Sequence, residues 1–159
     1  MDDAGDAVIV PLLASLALAS PPACLAPDLS ARLGLQGATG AMEGGVTVRN
    51  RTAHRCVLLG RPSVWFLVRG SQLLVRVAPG PSTTGVRRER PLTLAPGGRA
   101  FVHLRWSNWC GAPSTRITVR LYLRSKKPLL PVRGTAHTPR CDDRSAMSVV
   151  KVGPWERPR

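Results

Sequence analysis

The sequence predicts an all-β protein, about seven to nine strands packed as two antiparallel sheets face to face. Three observations carry that expectation. Two long stretches alternate apolar and polar residues. Ala100, Val102, Leu104 and Trp106 alternate with Arg99, Phe101, His103 and Arg105, and Ile117, Val119, Leu121 and Leu123 alternate with Thr118, Arg120, Tyr122 and Arg124. A period of two belongs to a strand and is inconsistent with a helix. Turn signals recur every ten or so residues, most plainly in Leu94-Ala95-Pro96-Gly97-Gly98-Arg99-Ala100. Finally, Cys24, Cys56, Cys110 and Cys141 are spread along the chain as staples would be.

Taken in order, residues 1–23 read as a degenerate export signal followed by a proline linker. Val8 to Ala19 is too short to span a bilayer comfortably but fits a signal core, and Ala17-Leu18-Ala19 has the form of a cleavage site. The preceding residues are acidic, with no basic group to orient insertion. Two prolines in Ser20-Pro21-Pro22 favour an extended linker. The spacing of Leu25, Leu29 and Leu33 predicts a short helix or turn that opens the domain. Gly34 to Gly45 reads as a glycine-rich loop with an edge strand at 38–42, and Val46–Arg49 as a strand ending at Asn50. The unbroken apolar run Cys56–Leu59 predicts a central strand covered on both sides. Val64–Val68, a tight hairpin at Arg69–Gln72, and Leu73–Val77 follow. Residues 79–91 form an exposed loop with Arg87-Arg88-Glu89-Arg90 at its tip. Then come Leu92–Leu94, the two long strands, and a last strand over 147–152. The β domain spans 24–155, with a basic tail at 156–159.

At 159 residues and a net charge of +14, the chain is one basic domain plus a tail. The charge is uneven: up to residue 48 there are five acidic groups and only Arg32, whereas 22 of the 23 basic groups follow. Such a balance favours anionic partners, namely nucleic acid, acidic lipid or wall polymers. Arg99, Arg105, Arg116, Arg120 and Arg124 would line one polyanion-binding face if the two long strands were neighbours, since guanidinium pairs phosphate and carboxylate bidentately. Aromatics interleave only through Phe101 and Tyr122, and no nucleic-acid motif is present. A solvated face is therefore the preferred reading, consistent with arginines scattered over most strands.

An even number of cysteines points to two disulfides and an oxidising compartment. His54-x-Cys56 and His137-x-x-x-Cys141 do not match a zinc frame, and C-x-x-C is absent, so no metal and no cofactor is expected. Three connectivities are possible and order along the chain does not select one. Cys24–Cys56 and Cys110–Cys141 are favoured because each closes a segment for which a crosslink stabilises by roughly 3–4 kcal/mol. The three histidines, His54, His103 and His137, sit in no G-x-S-x-G or H-E-x-x-H frame, and nine acidic residues leave few general acid–base pairs. Asp142-Asp143 reads as a turn. A histidine–carboxylate pair in a concave pocket would be the sign of an exported hydrolase. Trp106 falls on the inward register and Trp109 beside Cys110 reads as disulfide packing, which leaves Trp65 and Trp155 as candidates for an exposed contact patch. Asn50-Arg51-Thr52 fits a glycosylation sequon, but reads here as a turn.

Several of these pieces occur in a fixed order: Ala38-Thr39-Gly40-Ala41, Val46 to Thr52, Cys56-Val57-Leu58-Leu59-Gly60-Arg61-Pro62-Ser63-Val64, Leu94 to Ala100, Trp106 to Gly111, and Pro139-Arg140-Cys141-Asp142. Together they resemble the exported actinobacterial family called domain of unknown function 4232, over about Cys24 to Trp155. Arg61 stands where that family usually has an aromatic. The resemblance implies an immunoglobulin-like sandwich outside the cytoplasm, and it carries over no catalytic residue. The expectation is a non-enzymatic, extracytoplasmic binding or structural module at the cell envelope, its partner an envelope protein or an anionic cell-wall polymer. A polyanion-binding protein using the arginine face is the alternative, and an exported hydrolase the third.

Overall fold

The computed structural model describes residues 20–82, 89–123 and 128–158. Three expectations lie outside the described residues: the export signal over 1–19, Arg87 and Arg88 of the loop tip, and Arg124. Eleven strands and one 3-10 turn (Ala26–Asp28) make up the described regular structure. The strands are β1 (Leu29–Ala38), β2 (Ala41–Asn50), β3 (Cys56–Leu58), β4 (Ser63–Val68), β5 (Ser71–Gln72), β6 (Arg76–Pro79), β7 (Leu92–Leu94), β8 (Arg99–Ser107), β9 (Ile117–Tyr122), β10 (Leu130–Ala136) and β11 (Val149–Glu156). Among the described residues, no helix is long and apolar enough to cross a membrane.

Nine strands form one continuous sheet in the order β5-β4-β9-β10-β1-β2-β8-β11-β6, and β3 pairs with β7 in a separate ribbon. Only Leu73–Val75 lies between β5 and β6, which are the two ends of the large sheet. Four residue steps reach at most ~14 Å, so the sheet must curl until its edges stand close together. Inside the curl is a single core. The inward residues read from the two alternating stretches all enter it: Ala100, Val102, Leu104, Trp106, Ile117, Val119, Leu121 and Leu123 are buried. Trp106 of β8 meets Phe66 of β4 at a ring-centroid distance of 4.7 Å, so β4 and β8 face each other across the core. The all-β expectation holds. Two pairings are parallel, β1 with β10 and β6 with β11, which makes the large sheet mixed rather than purely antiparallel.

Five local expectations are corrected. Leu29 and Leu33 belong to strand β1, not to a helix, because β1 pairs residue by residue with β2 from Leu29↔Asn50 to Ala38↔Ala41. The supposed glycine loop is therefore a long hairpin in the middle of the sheet. Two of its glycines serve close approach: a Cβ on Gly44 would lie 1.9 Å from the Gly34 carbonyl oxygen, and one on Gly45 only 2.5 Å from the Phe101 ring. The apolar run at Cys56–Leu59 is a short ribbon strand, covered on one side only, with Leu59 exposed. Leu73–Val75 is the crossing between the sheet's ends, and only Arg76–Pro79 pairs. The last strand continues through a bulge at Gly153-Pro154 to Glu156, which is buried, so the basic tail begins only at Arg157.

Cys24 is bonded to Cys56 and Cys110 to Cys141. The first bridge is buried and ties the entry segment to β3, beside a bridge between Ala23 and Val57. The second is exposed and fastens the loop after β8 to the segment before β11. Each lies near a buried or half-buried asparagine that organises its loop. Asn50 Nδ2 donates to the carbonyls of His54 (2.7 Å) and Ala95 (3.2 Å), and its Oδ1 accepts from the Thr52 N–H (3.0 Å) and hydroxyl (2.8 Å). Asn50 is 1% exposed, so the sequon asparagine is a fully used structural residue. Asn108, in left-handed backbone (φ 58°), donates to the carbonyls of Asp143 and Ala146 and accepts from the N–H groups of Asp142 and Asp143. Asparagine is among the few residue types that adopt this conformation readily. Arg61 donates to the carbonyls of Gly80 and Val152 and pairs with Glu89, which joins the β3–β4 connection to the opposite edge of the sheet.

Candidate functional site

The outer face of β4 and β9 carries the clearest contact surface. Burial of Ile117, Val119 and Leu121 leaves Thr118, Arg120 and Tyr122 on the outside of β9, and burial of Val64 and Phe66 leaves Ser63 and Trp65 on the outside of β4. The register sets Trp65 opposite Arg120 and Ser63 opposite Tyr122. Tyr122 is thus the diagonal neighbour of Trp65, about 7–8 Å away along the sheet, within reach of aromatic side chains. Ser63, Trp65, Tyr122, Pro128 and Leu129 line a shallow cavity of about 360 Å³. A second hollow of about 280 Å³ shares Ser63 and Tyr122 and adds the Arg61–Glu89 pair, whose Nε–Oε1 distance is 3.0 Å. Arg120 makes no ion pair among the described residues. Behind this shelf, Phe66 packs on Trp106, so the surface rests on core rather than on a loop. Chemically, the shelf offers two aromatic faces for stacking a ring and one guanidinium for an adjacent anionic group.

Not all sequence candidates arrive here. Trp155 is 6% exposed, because the bulge at Gly153-Pro154 carries β11 onward and seats Trp155 opposite Val102 in the core. Trp65 and Trp155 therefore form no joint patch. Trp109 is half-buried and meets Trp106 edge-on at 5.9 Å. The single basic face is also corrected. Between β8 and β9 lie β10, β1 and β2, and the inward sides of β8 and β9 meet in one core. Arg99 and Arg105 consequently point away from Arg116 and Arg120, on opposite outer surfaces.

A second concave site was not legible in the sequence. On the outer face of β8 and β2, His103 Nε2 lies 3.3 Å from Glu43 Oε1, and Arg105 Nη1 lies 3.7 Å from the other oxygen, Oε2. The pair borders a groove of about 640 Å³ with Phe101, Gly44, Gln36 and Arg157. His103 Nδ1 is buried without a hydrogen-bond partner among the described residues. Alternation placed His103 outward, but Glu43 fell in the supposed loop, and only the β2–β8 register brings Glu43 opposite Arg105. Among the described residues, no serine, threonine or cysteine lines this groove. The arrangement supplies a base and its carboxylate orienter without an adjacent side-chain nucleophile. Among the described residues, no group of three or more histidine, cysteine or acidic side chains is placed to hold a metal ion.

No curated protein and no solved structure matches the chain. A family model described as a domain of unknown function, DUF4232, matches residues 24–156, which take in every described strand and both disulfides. The chain belongs to the DUF4232 family.

Proposed function

We propose that this chain is a non-enzymatic binding module of the cell envelope, working outside the cytoplasm, with the Trp65–Tyr122–Arg120 shelf as its contact surface. The observation that carries the reading is the exposure of Trp65, at 39%, on a sheet backed by packed core. An exposed tryptophan beside a tyrosine and an arginine that has no ion pair among the described residues has the composition of a contact surface, where aromatic and arginine side chains are enriched. Two disulfides support the oxidising compartment. The partner suited to the shelf is an anionic wall polymer whose rings stack on the aromatics while its charges pair with Arg120.

Titrating the protein with an anionic wall polysaccharide, followed by tryptophan emission, tests this. The expected result is a saturable emission change that disappears in Trp65→Leu. Unaltered binding by Trp65→Leu would remove the shelf from the function. Affinity that falls steeply with added salt and survives Trp65→Leu would favour the polyanion alternative, in which charge alone holds the polymer. The His103–Glu43 pair favours one other reading, an exported hydrolase using activated water. Ester or glycoside turnover by the wild type that His103→Gln abolishes would support it, and no turnover above background would retire it.

A further inference from the structure

We infer that the notch at the β4–β5 turn is a specific oxyanion site, for a phosphate ester carried on a larger molecule. Arg69, Arg116 and His137 line a cavity of about 810 Å³ there, together with Thr115, Thr118 and Thr138. No carboxylate is among the lining residues, and neither guanidinium nor the imidazole makes an ion pair among the described residues. Four described cations elsewhere do meet an acid: Glu89 pairs with Arg61, Glu43 with His103 and Arg105, and Asp142 with Arg140. Two guanidiniums and an imidazole that line one hollow, with no counter-charge among the described residues, leave the place of one open for a ligand.

The backbone supports the same conclusion independently. Arg69 and Gly70 are the central residues of the hairpin turn, both at positive φ (48° and 85°). Two-residue turns of this kind strongly prefer asparagine, aspartate or glycine at the first position. An arginine held there is strained where a glycine would be relaxed, and strain of this sort collects at ligand-binding positions. The notch is fixed in place by its other wall. Thr138 N–H donates to the Ser114 carbonyl (2.9 Å), the Ser114 N–H donates to the Thr138 hydroxyl (3.1 Å), and the Arg116 N–H donates to the Ser114 hydroxyl (3.2 Å). That arrangement holds Arg116 and His137 on adjacent, cross-linked segments. The Thr118 and Thr138 hydroxyls already donate to the Leu67 and Ser114 carbonyls (3.4 Å each), so the donors the notch offers are its two guanidinium forks and the Thr115 hydroxyl, a set suited to the several acceptor oxygens of phosphate. The hollow is open to solvent and larger than a phosphate ion alone, which leaves room for the molecule that carries the phosphate.

The site does not depend on the aromatic shelf, and its test is separate. Amide NMR shifts of the full chain are followed on adding inorganic phosphate, glycerol phosphate and, as a control, acetate, at constant ionic strength. The expected result is saturable movement of the Gly70, Thr115 and Thr138 signals with both phosphates, tighter for the ester, and none with acetate. Arg69→Gly relieves the strained turn and so preserves the fold. It should weaken binding about tenfold or more, as should Arg116→Gln. Arg105→Gln, on the opposite surface, should leave binding unchanged. Acetate acting as well as phosphate, equal weakening by Arg105→Gln, or full binding by Arg69→Gly would each overturn the inference.

Discussion

Replacing Asn50 tests the fold at the point where its two halves are tied. Its amide donates to His54 on its own loop and to Ala95 across 45 residues, and its oxygen accepts twice from Thr52. The Asn50 backbone also bonds to Gly98 and Gly97, within the turn whose Ala95–Gly98 hydrogen bond is 2.8 Å. Asn50→Ala deletes these four side-chain hydrogen bonds, at roughly 0.5–1 kcal/mol net each, for a loss of about 3 kcal/mol. Asn50→Asp has nearly the same shape but turns the donor edge into an acceptor facing carbonyl oxygens. The aspartate pKa is then raised in the folded state above its unfolded value. Such a group supports the fold when protonated, so the variant is least unstable below about pH 4 and loses stability as pH rises through the folded pKa. Urea unfolding at pH 7 and pH 5 with disulfides intact is the assay. The expected outcome is a loss of about 3 kcal/mol for alanine and a larger loss for aspartate at pH 7 that shrinks at pH 5. The corresponding fall in Tm for alanine is about 6–12 °C. An aspartate variant within about 0.5 kcal/mol of wild type at pH 7, or one indifferent to pH, would refute the assignment of Asn50 as a buried donor.

Four further outcomes are expected. Mild reductant opens Cys110–Cys141, whose sulfur-bearing residues are exposed, before the buried Cys24–Cys56, as peptide mapping after differential alkylation would reveal. Removing the buried bridge by a double serine variant costs about 3–4 kcal/mol, from its sequence separation of 32. The two tryptophans once grouped together separate in stability: Trp155→Ala loses about 3–5 kcal/mol and Trp65→Ala less than about 1 kcal/mol in urea unfolding. The Ser145 hydroxyl and N–H, with the Ala146 N–H, hold the Asp143 carboxyl below the usual aspartate range, more than burial raises it. Because that pKa is depressed on folding, its contribution is present above the unfolded value of about 4 and is lost as pH falls through the folded one. Ser145→Ala returns the Asp143 titration toward the ordinary range by NMR, and an unchanged titration would contradict the bond.

What the sequence discloses here is local. β8 and β9 were readable because each is buried on one face, which prints a two-residue period on the chain. β1 carries the same period, with Leu29, Ala31, Leu33 and Leu35 against Ser30, Arg32, Gly34 and Gln36, but the spacing of four between Leu25, Leu29 and Leu33 also fits a helical turn, and only the pairing with β2 and β10 decides between them. The same limit governs the sites. Alternation placed Arg99, Arg105 and Arg120 outward correctly, but outward from which surface depends on strand order, and three strands separate β8 from β9. Trp65 was recognisable as a surface aromatic, whereas Trp155 sits past a Gly-Pro bulge that reads as the end of a strand. His103 finds Glu43 only through the register of a hairpin hidden in apparent loop.

The parallel seam between β1 and β10 has a consequence for biosynthesis. The first strand completes its second row of backbone hydrogen bonds only when residues near Arg133 are available. Until Leu130–Ala136 has been made, β1 keeps one side bare, and such long-range closures make folding slow. The curl therefore cannot shut around its core before β10 arrives, long after the strand it joins has left the ribosome.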